Sequence, residues 1–218
     1  MKIYQLLRAR SVHFCGAYGR SNGRSNRWGI GWALVLLMSL TGCFNVRQPE
    51  PATVAADWEP AVQADVLLAN FQRAFQQVNV ATYERCFVGA SFQFLPEPTV
   101  AARNPGIFDQ WRLDQERAYF QRLASRTTAA AGNQLTLTYP PQSVSFITPD
   151  SQLIQAAYRL RLFQQDTAFR FSSFAGNARL TLVRRPGQNE WKIAAWQDTR
   201  IDPADHVWSE IKAYFFTR

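Results

Sequence analysis

Few residues of the 218-residue sequence have a type and a position that could carry out chemistry. Beyond residue 42 there is one histidine, His206, and it follows Pro203 in a predicted loop, which favours a solvated or helix-capping role. Asp198 ends a stretch of alternating residues and shares a predicted face with Trp196. It is the candidate for a catalytic carboxylate that lines a pocket; the alternative is a structural carboxylate paired with an arginine.

Cys43 follows an apolar segment near the N-terminus. Residues 1–42 hold six of the 24 basic residues and none of the acidic ones. The apolar run 29–40 is shorter than the roughly 20 residues of a membrane-spanning helix. A basic flank, an apolar region and a site of small residues together are typical of a secretion signal.

The end of this segment, Leu40-Thr41-Gly42-Cys43, resembles the lipobox of bacterial lipoproteins. The resemblance implies that Cys43 is acylated and that cleavage falls between Gly42 and Cys43; the alternative is an uncleaved signal anchor. Several acyl chains on one cysteine would anchor the chain durably to a membrane. By resemblance to the sorting rule of Gram-negative envelopes, Phe44 after the cysteine favours the periplasmic face of the outer membrane.

The formal net charge of +8 belongs mostly to the leader. From Cys43 onward, eighteen basic residues face sixteen acidic ones, a net charge of about +2. Near-neutral charge and export disfavour nucleic acid as a partner, although arginines alternate with phenylalanines on the predicted strands. We divide the chain into a signal peptide at 1–42, a flexible tether at 43–57, and a domain at 58–218.

Other motifs with a chemical role are absent from the sequence. No cysteine and histidine cluster has metal-ligand spacing, and there is no Gly-x-Ser-x-Gly elbow. The sequence therefore predicts neither a metal nor a cofactor. Cys86 is the one cysteine left after Cys15 in the leader and Cys43, so no internal disulfide is expected. We interpret Cys86 as a buried core residue of a helix, with a reactive thiol as the alternative.

The first half of the predicted domain has helical periodicity. Leu67, Phe71, Phe75 and Val78 form one apolar stripe, and Asn79 is placed to cap a second short helix. A third helix is expected to begin with Asp109 as its N-cap. Its predicted apolar face holds Trp111, Tyr119, Phe120 and Leu123, and its predicted solvated face holds Arg112, Asp114, Glu116 and Arg117.

The second half changes to a period of two, which is typical of strands. Strand-like stretches begin at Gln134, Val144 and Ile154 and continue through 169–183 and 191–199. A closing amphipathic helix is expected after Pro203. Helices followed by a run of antiparallel strands indicate an α+β fold with helices packed on one face of a curved sheet.

This order of elements resembles the NTF2-like fold, also called SnoaL-like or cystatin-like. The segments that carry the resemblance are 190–198, with the sequence EWKIAAWQD, and 208–215, with the sequence WSEIKAYF. The resemblance covers roughly residues 60–218; a different α+β sandwich is the alternative. It implies a cone with N-terminal helices on a curved antiparallel sheet and a short C-terminal helix. It also implies a sheet–helix pocket and makes a dimer an option. The candidate pocket-lining residues are Trp111, Tyr119, Tyr158 and Trp196.

Two classes of function remain open from the sequence. The first is a non-enzymatic envelope lipoprotein that binds a small apolar ligand or another envelope protein. The second is a SnoaL-like lyase or isomerase that uses Asp198 or another carboxylate of the pocket as a base. A pocket that is filled, or that holds no titratable group, would count against the enzyme.

Overall fold

The computed structural model describes residues 58–128, 131–185 and 187–218. The predicted signal peptide and tether, with Gly42 and Cys43, lie outside the described residues. The described residues form one compact unit. Within the described part of that unit, no helix is long and apolar enough to cross a membrane.

Five α-helices are present in the described residues, and the first two confirm the sequence-based prediction except at Val78, which follows the first helix with a φ of 55°. Leu67, Phe71 and Phe75 are buried on one face of the first helix. The Asn79 side chain accepts a hydrogen bond from the Thr82 amide and caps the second helix, as expected. The helices are α1 Ala64–Gln76, α2 Val80–Arg85, α3 Pro98–Arg103, α4 Leu113–Ser125 and α5 Trp208–Thr217.

Six described strands form one sheet in the order β1-β6-β5-β4-β2, with β3 also paired to β4. All pairings are antiparallel except that of β1 with β6, which is parallel. The fold class predicted from the sequence, with helices on a curved antiparallel sheet and a short C-terminal helix, is confirmed. The strands are β1 Gln93–Leu95, β2 Gln134–Thr138, β3 Val144–Thr148, β4 Ser151–Arg161, β5 Ser173–Arg184 and β6 Trp191–Thr199.

Two local predictions are wrong around the third and fourth helices. Asp109 does not cap α4, which begins at Leu113; the Arg112 amide instead donates to the Gln115 side chain at 3.0 Å. Helix α3 was not predicted, because it begins at Pro98 and proline breaks the interior of a helix. Pro98 is instead compatible with a first helical turn, and the Glu97 carboxylate caps that turn through the Val100 amide.

The core lies between the helices and the inner face of the sheet. Alternate residues of β4 and β5 point inward, as the period of two predicts. Gly176 faces Tyr158 across these strands, and a Cβ atom at Gly176 would lie 2.5 Å from the Tyr158 hydroxyl oxygen. Cys86 is buried, as interpreted from the sequence, and burial raises the pKa of its thiol.

Helix α5 closes the space between the sheet and the other helices. Trp208, Ile211, Lys212 and Phe215 on this helix have no measurable exposure to solvent. The helix packs against α4, α3 and β5. The volume that a sheet–helix pocket would need is therefore occupied by side chains of the chain itself.

Candidate functional site

The most polar part of the interior is an ion pair between Lys212 of α5 and Glu116 of α4. The Lys212 ammonium lies 2.7 and 2.6 Å from the two carboxylate oxygens of Glu116, and both side chains are fully buried. Glu116 also accepts hydrogen bonds from the Tyr83 hydroxyl at 2.6 Å and the Trp111 indole N–H at 2.7 Å. Every acceptor position of this carboxylate therefore faces a donor of the chain.

Aromatic rings surround the Lys212 ammonium on its remaining sides. Its Nζ atom lies 3.7 Å from the ring centroid of Phe94 and 3.8 Å from that of Trp196. The Tyr119 and Trp111 rings follow at 5.3 and 5.8 Å. A cation over an aromatic face is attracted by the ring quadrupole, most strongly where water is excluded. The rings therefore replace part of the hydration that the ammonium loses.

Burial and the ion pair act on Lys212 in opposite directions. Removal from water lowers the pKa of Lys212 from 10.5 to about 8, against the Glu116 carboxylate, which raises it. The pKa of Lys212 is lowered overall because the desolvation of a fully buried ammonium costs more free energy than its attraction to one carboxylate returns.

Asp198 forms a second buried polar site where β6 meets the start of α5. Its carboxylate accepts hydrogen bonds from the Ser209 amide at 2.7 Å, the Ser209 hydroxyl at 2.6 Å and the Tyr158 hydroxyl at 2.8 Å. The Tyr158 oxygen in turn accepts from the Trp208 amide at 2.8 Å. Asp198 thus holds the first turn of α5 against the sheet.

The alternative that Asp198 is a structural carboxylate paired with an arginine is wrong about the partner. The groups that bind the carboxylate are a tyrosine and a serine, and the cation that lowers its pKa is Lys212. Burial raises the pKa of Asp198, although its hydrogen bonds and Lys212 lower it in part. A raised carboxyl pKa is what a general base requires, but here the carboxylate has no solvent contact.

The four predicted pocket-lining residues lie together in the interior. Trp111, Tyr119, Tyr158 and Trp196 are each 2% exposed or less and pack around Lys212 and the start of α5. The grooves found among the described residues are lined by other side chains. The four rings thus surround groups of the chain itself.

His206 lies in the connection before α5, as expected, and is partly exposed. Its Nδ1 atom lies 2.7 Å from a Glu210 carboxylate oxygen, and its ring stacks on Phe171 with a centroid distance of 3.6 Å. Arg200 binds the other Glu210 oxygen at 3.0 Å. These contacts fix the approach of the chain to α5.

Glu116 and Lys212 are the two residues that the sequence analysis missed. Glu116 was assigned to the solvated face of its helix, and this assignment is wrong because the residue is fully buried. A signal was available, since Leu113, Glu116, Phe120 and Leu123 recur at helical spacing on one face. Asp114 is exposed, as expected.

Comparisons with known proteins give likenesses of fold only. No protein-family model and no curated protein matches the chain. The nuclear transport factor 2 (NTF2-like) superfamily protein of Salmonella enterica is 10% identical, with a TM-score of 0.48 over 63% of this chain and 88% of that one.

Two further solved structures have similar values. An NTF2-like protein of unknown function from Shewanella oneidensis is 11% identical, with a TM-score of 0.46 over 61% of this chain and 93% of that one. A ketosteroid isomerase-like protein from Erwinia carotovora is 10% identical, with a TM-score of 0.45 over 64% and 94%. These likenesses have TM-scores below 0.5 and support no conclusion about substrate or activity.

Proposed function

We propose that this chain is a lipid-anchored envelope protein whose NTF2-like domain binds a ligand or partner on its surface and catalyses no reaction. The observation that carries this proposal is the closed interior. Lys212, Glu116 and Asp198 all have zero exposure, and side chains of α5 fill the space between sheet and helices.

A substrate in this interior would have to displace hydrogen bonds that the side chains of the protein already make with each other. A general base must lie within hydrogen-bond reach of the proton that it removes. Asp198 already accepts three hydrogen bonds from Ser209 and Tyr158. Opening a path to it would require the first turn of α5 to leave the sheet and expose Trp208. The lyase or isomerase alternative is therefore disfavoured.

The anchoring part of the proposal rests on the sequence Leu40-Thr41-Gly42-Cys43. A thioether-linked diacylglyceryl group with further acylation would hold the domain at a membrane surface through the segment 43–57. Phe44 supports the periplasmic face of the outer membrane if the organism has one.

Metabolic labelling with a palmitate analogue tests the anchor. Wild-type protein should be labelled and recovered in the membrane fraction, and Cys43→Ala should be unlabelled and keep its leader. Cys86→Ala is the matched control, since it removes a buried thiol and should retain the label. A labelled Cys43→Ala protein would refute the site.

A further inference from the structure

A groove of about 580 Å³ lies outside the closed interior, between the end of α3, the loop 168–171 and the exposed side of α5. This volume lies within the range of small-molecule sites in proteins. Its floor contains Val100, Phe169 and Ala213, each less than 10% exposed. The groove thus has an apolar floor and is open to a ligand, whereas the core beneath it is closed.

The rim of the groove carries two arginines without an anionic partner. Arg103 at the end of α3 and Arg170 in the loop are both exposed and line the groove. Within the described residues, neither guanidinium has a carboxylate at salt-bridge distance, whereas eight other basic side chains do. Two uncompensated cations at one apolar groove produce a local positive potential.

The acidic groups near the groove already have partners within the chain. Glu210, which lines it, contacts Arg200 at 3.0 Å and His206 at 2.7 Å, and Arg200 also lies 3.5 Å from Glu97. Asp166 lies behind Tyr214, accepts a hydrogen bond from that hydroxyl at 2.9 Å, and pairs with Arg126 at 2.8 Å. Arg103 and Arg170 therefore remain available to an anionic ligand.

The walls add flat aromatic surface. Phe171 is 43% exposed and stacks on the His206 ring, and Tyr214 packs on Phe169 with a centroid distance of 4.5 Å. The Arg218 guanidinium lies over the Tyr214 ring at 4.8 Å and is therefore already engaged. An aromatic ligand can therefore pack on the exposed side of Phe171 while its anionic group reaches the rim.

We propose that this groove binds an aromatic carboxylate, with the ring on the exposed side of Phe171 and the carboxylate between Arg103 and Arg170. Guanidinium groups bind carboxylates through paired, charge-assisted hydrogen bonds, which gives both affinity and orientation. The inference deepens the proposed non-enzymatic binding role and rests on it, since it names the ligand class of the surface site.

Isothermal titration of the full-length chain in phosphatidylcholine nanodiscs with naphthoate tests the proposal, with empty nanodiscs as the blank. Naphthoate should bind about tenfold or more tightly than naphthylmethanol, which has the same rings and no charge. Arg103→Gln and Arg170→Gln should each weaken naphthoate binding about tenfold and leave naphthylmethanol binding unchanged.

Arg179→Gln is the matched control, because Arg179 is an exposed arginine of β5 outside the groove. This variant should bind naphthoate like the wild type. Equal binding of the acid and the alcohol, undiminished binding by both groove variants, or no binding at all would overturn the proposal. Palmitate labelling is independent of these titrations, so loss of the anchor and loss of the groove site can be told apart. Turnover of bound naphthoate would contradict the non-enzymatic role itself.

Discussion

Lys212 and Glu116 form an ion pair without solvent contact, and their energetics are asymmetric. Removing one partner leaves an uncompensated charge in the core, which costs far more than a surface ion pair contributes. Lys212→Met should therefore lower the free energy of unfolding by about 3–5 kcal/mol, measured by urea denaturation.

The double variant Lys212→Met/Glu116→Gln should recover a large part of that loss, because no buried charge remains unpaired. Lys192→Met is the matched control, since Lys192 pairs with Glu190 but keeps 15% of its side chain exposed, and it should cost clearly less than Lys212→Met. A double variant no more stable than Lys212→Met would contradict the buried pair.

The same pair predicts a pH dependence of stability. The pKa of Lys212 is about 8 in the folded chain against 10.5 as its ordinary value. Between these values the unfolded chain binds more protons, so the free energy of unfolding contributed by Lys212 rises with pH. Burial raises the pKa of Cys86, which gives the opposite slope near and above pH 9.

The quantity to measure is therefore the difference between wild type and Lys212→Met/Glu116→Gln. It should grow in favour of the wild type by up to about 1 kcal/mol per pH unit between pH 8 and 9.5. A difference that is flat or falls over this range would show that Lys212 keeps an ordinary pKa.

Sequence patterns predict the burial of some individual residues correctly and of others wrongly. The alternation along β6 placed Asp198 inward, and the apolar stripe placed Phe71 and Phe75 in the core. Glu116 was placed wrongly because its nearest neighbours in sequence are polar. Its partner Lys212 is 96 residues away, and no local pattern reveals which buried charge meets which.

At the scale of elements, β4 and β5 approach closely where Gly176 faces Tyr158. A methyl group at Gly176 would meet the Tyr158 hydroxyl at 2.5 Å and the Thr199 carbonyl oxygen at 2.7 Å. Gly176→Ala should therefore destabilise the domain by about 1–3 kcal/mol in thermal or urea unfolding, as overpacking does. Asn177→Ala, at the next and exposed position, should change stability by less than about 0.5 kcal/mol. Equal effects of the two changes would mean that the strands are farther apart than described.

Most elements could be predicted because their periodicity is local. The two-residue period located β4, β5 and β6, and Asn79 located the start of α2. The parallel pairing of β1 with β6 joins segments about 100 residues apart, which periodicity does not reveal. Helix α3 was missed because Pro98 breaks a helix interior but is tolerated in the first turn.

At the scale of the whole molecule, the excess of positive charge and the proposed functions belong to different parts of the chain. Residues 1–42 account for most of the +8 net charge, while the rest of the chain is close to neutral. Its interior is closed by α5, and the groove at Arg103 and Arg170 is on the outside. We therefore propose that Cys43 anchors the chain, that the buried interior stabilises it, and that its surface groove recognises a ligand.

The closed interior is tested most directly by the reactivity of its lysine. Brief acetylation of the native full-length chain with an N-hydroxysuccinimide ester, followed by peptide mass spectrometry, compares Lys212 with the more accessible Lys192. Lys192 should be modified and Lys212 protected, and both should react once the chain is unfolded in urea. Modification of Lys212 at the rate of Lys192 in the native chain would show that the interior is open to small molecules and would contradict the account.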